Sequence, residues 1–353
     1  MMRFRVLAAC CFLLSLFFVS SAKADSTYQV QIFANGVVAG GTSPDSITYG
    51  DGSVWVSYQN GADSTGASGS STVVRYSPEG AIENTWTIKG NVDGLKVDPN
   101  TGLVWALQNN DGNSALTVIN PTTKATTSYT YGNSYTNVAN RGFDDVVFTK
   151  GGVFLSETNP VSGPDPIIVK LTTGLNSPLQ VSPILTSTFT ATNLATGSSG
   201  MVTITDPDSL KLLPNGAFAL TGEADQEIVY IYNPGKSNQY ETVVALLGTN
   251  GKPIGGSPDD TIYPNVKNGI FYVADTGANK VYEITAAGLA PGSVYIDVGD
   301  EFGILDTSTG VVTPIFTGVS PHGAAFVATP EPSGVLLLAG GLTGLLGLLR
   351  KKI

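Results

Sequence analysis

The sequence predicts an all-β protein of the β-propeller class, and three observations support that prediction. Six similar segments recur along the chain, and the polar residues that open them lie 48 to 64 positions apart. Short runs rich in Val, Ile, Tyr and Phe follow these segments and are separated by Gly, Asn and Asp, as in short strands joined by tight turns. No long helical pattern occurs between the two apolar terminal segments. A repeat of about fifty residues made of short strands is typical of a propeller blade, whereas a sandwich needs no such repeat.

The repeats predict six blades, and seven remains an alternative. Each repeat begins with a polar residue, usually Asp, and then alternates apolar residues; the six are PDSITYG (44–50), VDGLKVD (92–98), FDDVVFT (143–149), PDSLKLL (207–213), PDDTIYP (258–264) and PHGAAFV (321–327). A second strand is expected directly after most of them, for example GSVWVSYQN (52–60) and GIFYVADTG (269–277).

Closure of the ring is the least defined part of this prediction. The last repeat lies so near the C-terminal segment that the strand-like STYQVQIFANG (26–36) is expected to complete its blade. The runs within 292–317 supply further strands whose order the pattern leaves open. Trp55 and Trp105 occupy equivalent positions in two repeats, which favours a place in the core over a role in sugar stacking.

Two segments resemble known propeller repeats. GIFYVADTGANKVYEIT (269–285) resembles the NHL repeat, and PDSITYGDGSVWVSY (44–58) resembles repeats of the virginiamycin lyase and gluconolactonase-like propellers. These motifs occur in a superfamily with many functions, so the resemblance implies architecture more than activity.

The N-terminal segment has the three parts of a secretory signal. Arg3 and Arg5 form the positive start, an apolar stretch runs through 6–19, and Ala22-Lys23-Ala24 is a small-x-small cleavage site. We therefore expect residues 1–24 to be removed on export and the propeller to occupy 25–328. The two cysteines, Cys10 and Cys11, fall inside this signal, so the mature chain has no disulfide and no thiol ligand.

The C-terminal segment, residues 329–353, is predicted to be a sorting signal. Pro330-Glu331-Pro332 holds the backbone extended, 17 residues from Ser333 to Leu349 form an apolar stretch of roughly 25 Å as a helix, and Arg350, Lys351 and Lys352 follow. This order resembles the PEP-CTERM signal of Gram-negative bacteria. The resemblance implies an exosortase-type processing enzyme as partner, transient anchoring in the inner membrane, and final location at the cell surface or outside the cell. An uncleaved single-span anchor is the alternative.

The charge of the chain excludes some partners. It has 18 Lys and Arg against 28 Asp and Glu, a net charge of −10. Six of the cations lie in the two terminal segments, so the domain between them is more acidic than the whole. Such a domain is poorly suited to nucleic acid or to an anionic membrane, and suits divalent cations or neutral partners.

The repeat gathers candidate site residues at one mouth of the central channel, because the innermost strand of every blade starts at the same rim. The residues that open the repeats are Asp45, Asp93, Asp144, Asp208, Asp259 and His322. Turns after the second strands face the same side and carry Asn60, Asn109, Asn110, Glu157, Glu223 and Asp275. Calcium prefers oxygen ligands, so the five Asp residues and Glu157 are candidate metal ligands, with His322, Asn109 and Glu223 as candidate ligand-binding residues. Alternatively, each Asp only accepts backbone N–H bonds in its turn.

The single histidine lies in Ser320-Pro321-His322-Gly323, which resembles the Pro-His-Gly of the lyase-like propellers. The resemblance implies a base beside a metal, although there a further acid-bearing strand follows, whereas here the sorting segment begins at 329. The gluconolactonase pattern implies a Glu, an Asn and an Asp on one metal, for which Glu157, Asn109 and Asp208 are candidates. The chain has no G-x-S-x-G elbow or phosphate loop, and one His without mature Cys excludes a His/Cys zinc site.

Two interpretations follow from these observations. The first is a non-catalytic surface or matrix protein, associated with exopolysaccharide or biofilm, whose propeller binds a polysaccharide or protein, with calcium as a possible cofactor. The alternative is a calcium-dependent hydrolase or lyase of the gluconolactonase or virginiamycin lyase type, acting on a lactone or sugar-derived substrate.

Overall fold

The computed structural model describes residues 26–132, 140–160 and 163–329. Within them, 26 strands form six sheets around a central channel, which confirms the predicted β-propeller and its six blades. The chain enters through strand β1 (Thr27–Asn35) and a single helical turn, α1 (Gly36–Ala39). The side chain of Asn35 caps this turn by accepting a hydrogen bond of 3.0 Å from the backbone N–H of Val37.

The first three blades are four-stranded antiparallel sheets of consecutive strands, each numbered from the channel outwards. Blade one contains β2 (Pro44–Gly50), β3 (Ser53–Tyr58), β4 (Ser70–Tyr76) and β5 (Ile82–Lys89). Blade two contains β6 (Val92–Val97), β7 (Val104–Gln108), β8 (Ala115–Ile119) and β9 (Thr126–Thr130). Blade three contains β10 (Phe143–Thr149), β11 (Gly152–Glu157), β12 (Pro166–Leu171) and β13 (Val181–Thr186).

Blade four carries an additional hairpin. The hairpin, β14 (Thr188–Asn193) and β15 (Ser199–Thr203), precedes the four blade strands β16 (Pro207–Leu212), β17 (Phe218–Gly222), β18 (Glu227–Tyr232) and β19 (Tyr240–Ala245). It joins the outer edge through a parallel pairing of β14 with β19. The Thr- and Ser-rich run 187–200 contributes the first strand and the turn of this hairpin. Phe189 and Ala191 alternate with the threonines and are buried, so the segment has the period of a strand.

Blades five and six exchange strands. The remaining strands are β20 (Pro258–Ile262), β21 (Asn268–Asp275), β22 (Lys280–Ala287), β23 (Val294–Val298), β24 (Glu301–Leu305), β25 (Val312–Thr317) and β26 (Pro321–Ala328). Blade five is ordered β20-β23-β24-β25 and blade six is ordered β26-β21-β22-β1.

The exchange confirms one prediction about closure and corrects another. The N-terminal strand does complete the blade that starts at Pro321, because β1 pairs with β22. The run 269–277 is not the second strand of the blade that starts at Pro258, because β21 pairs with β26. The runs within 292–317 belong to blade five. Local alternation identifies a strand, but the choice of partner depends on packing between segments distant in sequence.

Apolar side chains from facing sheets form the core between blades. Trp55 and Trp86 stack between blades one and two with ring centroids 5.2 Å apart. Trp105 is also buried, where it contacts the ring of Phe148 in blade three. The predicted structural role of the tryptophans is therefore confirmed. Among the described residues, none of the helices has the length and apolar character that crossing a membrane requires.

Candidate functional site: an acidic channel mouth

A β-bulge at the start of each innermost strand shapes the channel. One extra residue interrupts the pairing of β2, β6, β10, β16, β20 and β26 with their neighbours at the same position of each repeat. A bulge re-aims side chains that a regular strand would send to opposite faces. As a result, the first polar residue of a repeat and the residue after it both line the channel, as Asp144 and Asp145 do in blade three.

The first residues of the repeats form what we call the upper ring: Asp45, Asp93, Asp144, Asp208, Asp259 and His322. All six line one cavity of about 180 Å³, together with Glu223 and Asn110 from the turns after the second strands. The sequence-based expectation that these residues meet at one mouth therefore agrees with their positions in the structure.

Three carboxylates of the upper ring lie close together. Asp93, Asp144 and Asp208 each offer one oxygen, and these oxygens lie within 4.8 Å of one another. Asp144 Oδ1 and Asp208 Oδ2 are buried and accept no hydrogen bond. Gln59 Nε2 donates to Asp93 Oδ1 at 3.1 Å. Buried carboxylate oxygens without donors are costly, so this group is suited to a cation that would satisfy them.

The proton affinity of the upper ring reflects this lack of counter-charge. Burial raises the pKa of Asp93 to about 7, with a further increase from Asp259 that hydrogen bonding from Asp144 partly offsets. Burial and the neighbouring carboxylates Asp93 and Asp259 also hold the pKa values of Asp144 and Asp208, respectively, well above the ordinary range. The upper ring therefore loses its protons only at a cost, which a bound divalent cation would remove.

The donor set fits calcium better than a softer metal. Asp93, Asp144 and Asp208 supply only carboxylate oxygens, the ligand type that hard divalent cations prefer. Further oxygens of Asp45 and Asp259 line the same cavity. Asp93, Asp144 and Asp208 would hold the ion.

His322 and Glu223 are two further proton-carrying groups that line the same cavity as this cluster. His322 Nδ1 lies 3.9 Å from Asp45 Oδ1, and 43% of the histidine side chain is exposed at the mouth. Burial raises the pKa of Glu223, and the carboxylates of Asp206 and Asp259 raise it further. One imidazole and one carboxyl of raised pKa thus lie at the entrance, where they could exchange protons with a bound molecule.

A second set of charged residues lies directly below the upper ring. We call it the lower network; it consists of Lys96, Asp145, Lys211 and Asp260. Lys96 Nζ lies 3.0 Å from Asp145 Oδ2, and Lys211 Nζ lies 2.5 Å from Asp260 Oδ1 and 3.7 Å from Asp145 Oδ2. Ser209 Oγ lies 3.4 Å from Asp145 Oδ2 and also contacts Asp260 Oδ1.

Ion pairing makes the lower network electrostatically different from the upper ring. Burial alone would raise the pKa of Asp260, but the ammonium groups of Lys211 and Lys96 outweigh it and hold that pKa below the ordinary value. Burial lowers the pKa of Lys96, which has one close carboxylate partner. The pKa of Lys211 is raised despite burial, because Asp260 and Asp145 both stabilise its charge.

Two sequence-predicted site residues lie away from the cavity. Glu157, a candidate metal ligand and the Glu of the gluconolactonase pattern, is completely buried, and its Oε1 lies 2.8 Å from Arg141 Nη2. Asn109, a candidate ligand-binding residue, has a left-handed backbone at φ 59°, and its Oδ1 accepts from the N–H of Asn91. The side chains of Glu157 and Asn109 are therefore held by Arg141 and by the backbone of Asn91. The prediction that they lie at the channel mouth is corrected accordingly.

Two more turn residues have structural partners. Asp275 Oδ1 accepts hydrogen bonds from the N–H groups of Ala278 at 2.8 Å and Ser320 at 3.2 Å. Asn60 accepts from the N–H of Thr42 and donates to Thr72 Oγ1. These two residues therefore fit the alternative interpretation, in which a polar side chain only makes hydrogen bonds that hold its turn. The sorting residues Pro330, Glu331, Pro332, Arg350, Lys351 and Lys352, and the signal 1–24, lie outside the described residues.

The lower network was not predicted from the sequence, although its residues follow a pattern there. Asp145 and Asp260 are the second residues of the doublets FDDVV and PDDTI. Lys96 and Lys211 stand three positions after the first Asp in VDGLKV and PDSLKL. In a regular strand, the second and fourth residues of a run lie on one face and the first residue lies on the other. The bulge brings the first residue, the Asp of the upper ring, to the channel as well, and alternation in the sequence does not show this.

Comparisons with known proteins concern the fold. No family model matches the chain, and no curated protein matches it. Among solved structures, it is similar to a virginiamycin B lyase from Staphylococcus aureus, with 13% identity, a TM-score of 0.49 and coverage of 85% of this chain and 92% of that one. It is similar to a periplasmic gluconolactonase from Pseudomonas aeruginosa, with 13% identity, a TM-score of 0.44 and coverage of 81% and 89%. A gluconolactonase from Xanthomonas campestris has 12% identity, a TM-score of 0.46 and coverage of 84% and 82%.

Proposed function

We propose that the upper ring is a calcium-dependent active site of hydrolase or lyase type, acting on a lactone or a sugar-derived substrate. The observation that carries this proposal is the convergence of Asp93, Asp144 and Asp208, with two buried oxygens that have no donor, beneath a partly exposed histidine. A bound divalent cation would supply Lewis acidity toward a substrate oxygen.

The residues of this chain would divide the remaining work. Asp93, Asp144 and Asp208 hold the cation. His322 lies beside Asp45, with 3.9 Å between Nδ1 and Oδ1, and is partly exposed, so it is placed to accept or return a proton at the mouth. Glu223, with its raised pKa, is the second proton carrier at the same entrance.

The test is a screen of purified protein for turnover of δ-lactones and aryl esters, with calcium and with chelator. We expect calcium-dependent turnover that Asp208→Asn removes together with calcium binding. His322→Gln should lower the turnover number while leaving calcium affinity unchanged. Turnover that is insensitive to chelator, or a His322→Gln variant with full activity, would contradict the assignment.

The first sequence-based interpretation, a non-catalytic surface or matrix protein, includes a prediction of export that rests on the terminal segments. The PEP-CTERM-like order of 329–353 favours it, and an exosortase-type enzyme would be the processing partner. We propose export to the cell surface on this ground. It concerns location, so it is compatible with a catalytic propeller, and mass measurement of the protein recovered from the producing cells would test it: loss of 1–24 and of the C-terminal segment is the expected result.

A further inference from the structure

The lower network links the innermost strands of four consecutive blades. Its members come from β6, β10, β16 and β20, and positive and negative charges alternate around the channel in the order Lys96, Asp145, Lys211, Asp260. Each neighbouring pair in this order is within ion-pair distance. The network therefore forms an arc of compensated charge below the upper ring, where the carboxylates of Asp93, Asp144 and Asp208 lie beside one another.

The two lysines lie at the partition between the two ends of the channel. Lys96, Lys211 and Ile47 line the acidic mouth cavity and also the cavity of the opposite face. On the opposite face their neighbours are mostly apolar, such as Val97 and Ile262. Their ammonium groups pair with Asp145 and Asp260, so the two side chains close the floor of the acidic site.

The lower carboxylates form a built oxygen cage. Asp145 Oδ2 accepts the N–H of Leu210 at 3.1 Å, and Asp260 Oδ2 accepts the N–H of Ala324 at 2.7 Å. Asp297, which is completely buried, accepts the N–H of Asp260 with Oδ1. Its Oδ2 has no donor. Without the lysines, three buried carboxylates would remain in a fixed position with one oxygen already unpaired.

We propose that Lys96 and Lys211 are fixed counter-cations that take the place of a second divalent ion, and so limit the channel to one bound cation at the upper ring. Their two positive charges equal the charge of one calcium ion. The inference rests on the proposed function, because it assumes a cation at the upper ring. The two lysines are thus specificity-determining residues. They limit the number of ions that the channel binds, and they leave only the oxygens of the upper ring available to an ion.

The test is a calcium titration by calorimetry of the full chain and of a Lys96→Met/Lys211→Met variant, with melting curves in calcium and in chelator. Methionine keeps the length and apolar stem of lysine and removes the charge. We expect one calcium per chain for the parent and two for the variant, and a variant whose melting temperature depends more strongly on calcium. The matched control is Lys150→Met/Lys236→Met, which removes two exposed lysines and should still bind one ion.

The outcomes separate this inference from the proposed function. One ion in both the parent and the variant, or two ions in the parent, overturns the role of the lysines. No ion in the parent but one in the variant contradicts the upper site and supports the lower one. No ion in either contradicts both. A variant that stays unfolded even in saturating calcium also overturns the inference, because the ion would then have failed to replace the ammonium groups.

Discussion

The upper ring and the lower network contain the same acidic residue at adjacent positions of the same strands, yet their surroundings differ in kind. Asp259 and Asp260 are neighbours in β20; burial raises the pKa of Asp259, whereas the two lysines hold the pKa of Asp260 below its ordinary value. The lower carboxylates are neutralised by the chain itself. Among the described residues, no lysine or arginine pairs with a carboxylate of the upper ring. Besides each other, these carboxylates contact Gln59, His322 and the N–H of Gly323, so they remain open to an ion from solution.

The difference shows that one repeat can contribute residues both to a structural layer and to a reactive layer. The bulge sends two successive residues into the channel, at two depths, in five of the six repeats. Compensation within the chain makes the deeper layer costly to disrupt, because removing either partner of a buried pair leaves an unpaired charge. The carboxylates of the shallower layer have no cationic side chain to compensate them, so ionising them is unfavourable. Carboxyl groups with pKa values perturbed in this way are typical of functional sites.

The largest expected effect tests this comparison by making one substitution in both layers. Asp260→Asn should destabilise the protein by about 3–5 kcal/mol, because it leaves Lys211 buried without its closest partner. Asp208→Asn should instead stabilise the cation-free protein, by on the order of 1 kcal/mol, because it removes a carboxyl of raised pKa. Denaturant unfolding in chelator at neutral pH measures both. Equal destabilisation by the two substitutions would remove the distinction between the layers.

The second effect concerns cation affinity. Asp144→Asn should weaken calcium binding by about 100-fold, equivalent to about 2.8 kcal/mol, because it converts a ligand oxygen with full charge into a neutral one. Calorimetry of the purified variant gives the affinity. Asp63→Asn, a change at an exposed turn on the same face, serves as the control and should bind calcium as the parent does. A similar loss in both variants would point to general surface charge instead of a site.

The third effect is a pH dependence that calcium reverses. The folded-state pKa of Asp93, about 7, lies above the ordinary 3.8. A raised pKa means that the folded form binds the proton more tightly than the unfolded form, so stability is highest in acid and falls as the pH rises through the folded-state value. Melting in chelator should therefore occur at a lower temperature at about pH 8 than at about pH 5.

Calcium should abolish this loss, because it binds the ionised carboxylates, and its affinity should rise over the same pH interval. A cation-free protein whose melting temperature increases steadily from acid to neutral pH would contradict the assignment of an uncompensated ring.

The smallest effect on cation binding is expected outside both layers. Glu157→Gln should change calcium affinity by less than about threefold, since the side chain is buried against Arg141 and does not line the cavity. It should reduce stability, because the guanidinium loses a charged partner. The sequence-based assignment of Glu157 as a metal ligand predicts the reverse pattern, with affinity lost and stability kept. Measuring calcium affinity and stability on this one variant therefore decides whether Glu157 is a metal ligand or a buried partner of Arg141.

The sequence predicted the blade number and the upper ring because both depend on a residue repeated at similar spacing. It did not predict the partners of β21, since the pairing that closes blades five and six is set by contacts between strands far apart in the chain. Glu157 and Asn109 were misplaced for a related reason: position after a strand gives the side of the propeller but not the direction of the side chain. Lys96 and Lys211 were missed because their role depends on the bulge, which residue alternation does not reveal.

The most direct test of the central claim is a calcium titration of the parent protein by calorimetry, paired with melting curves in calcium and in chelator. We expect saturable binding of one calcium per chain and a melting temperature that rises with free calcium, because the ion would bind only the folded upper ring. No heat of binding and identical melting in calcium and chelator would contradict it. The five aspartates would then be structural residues of their turns, and the proposed activity would lose its basis.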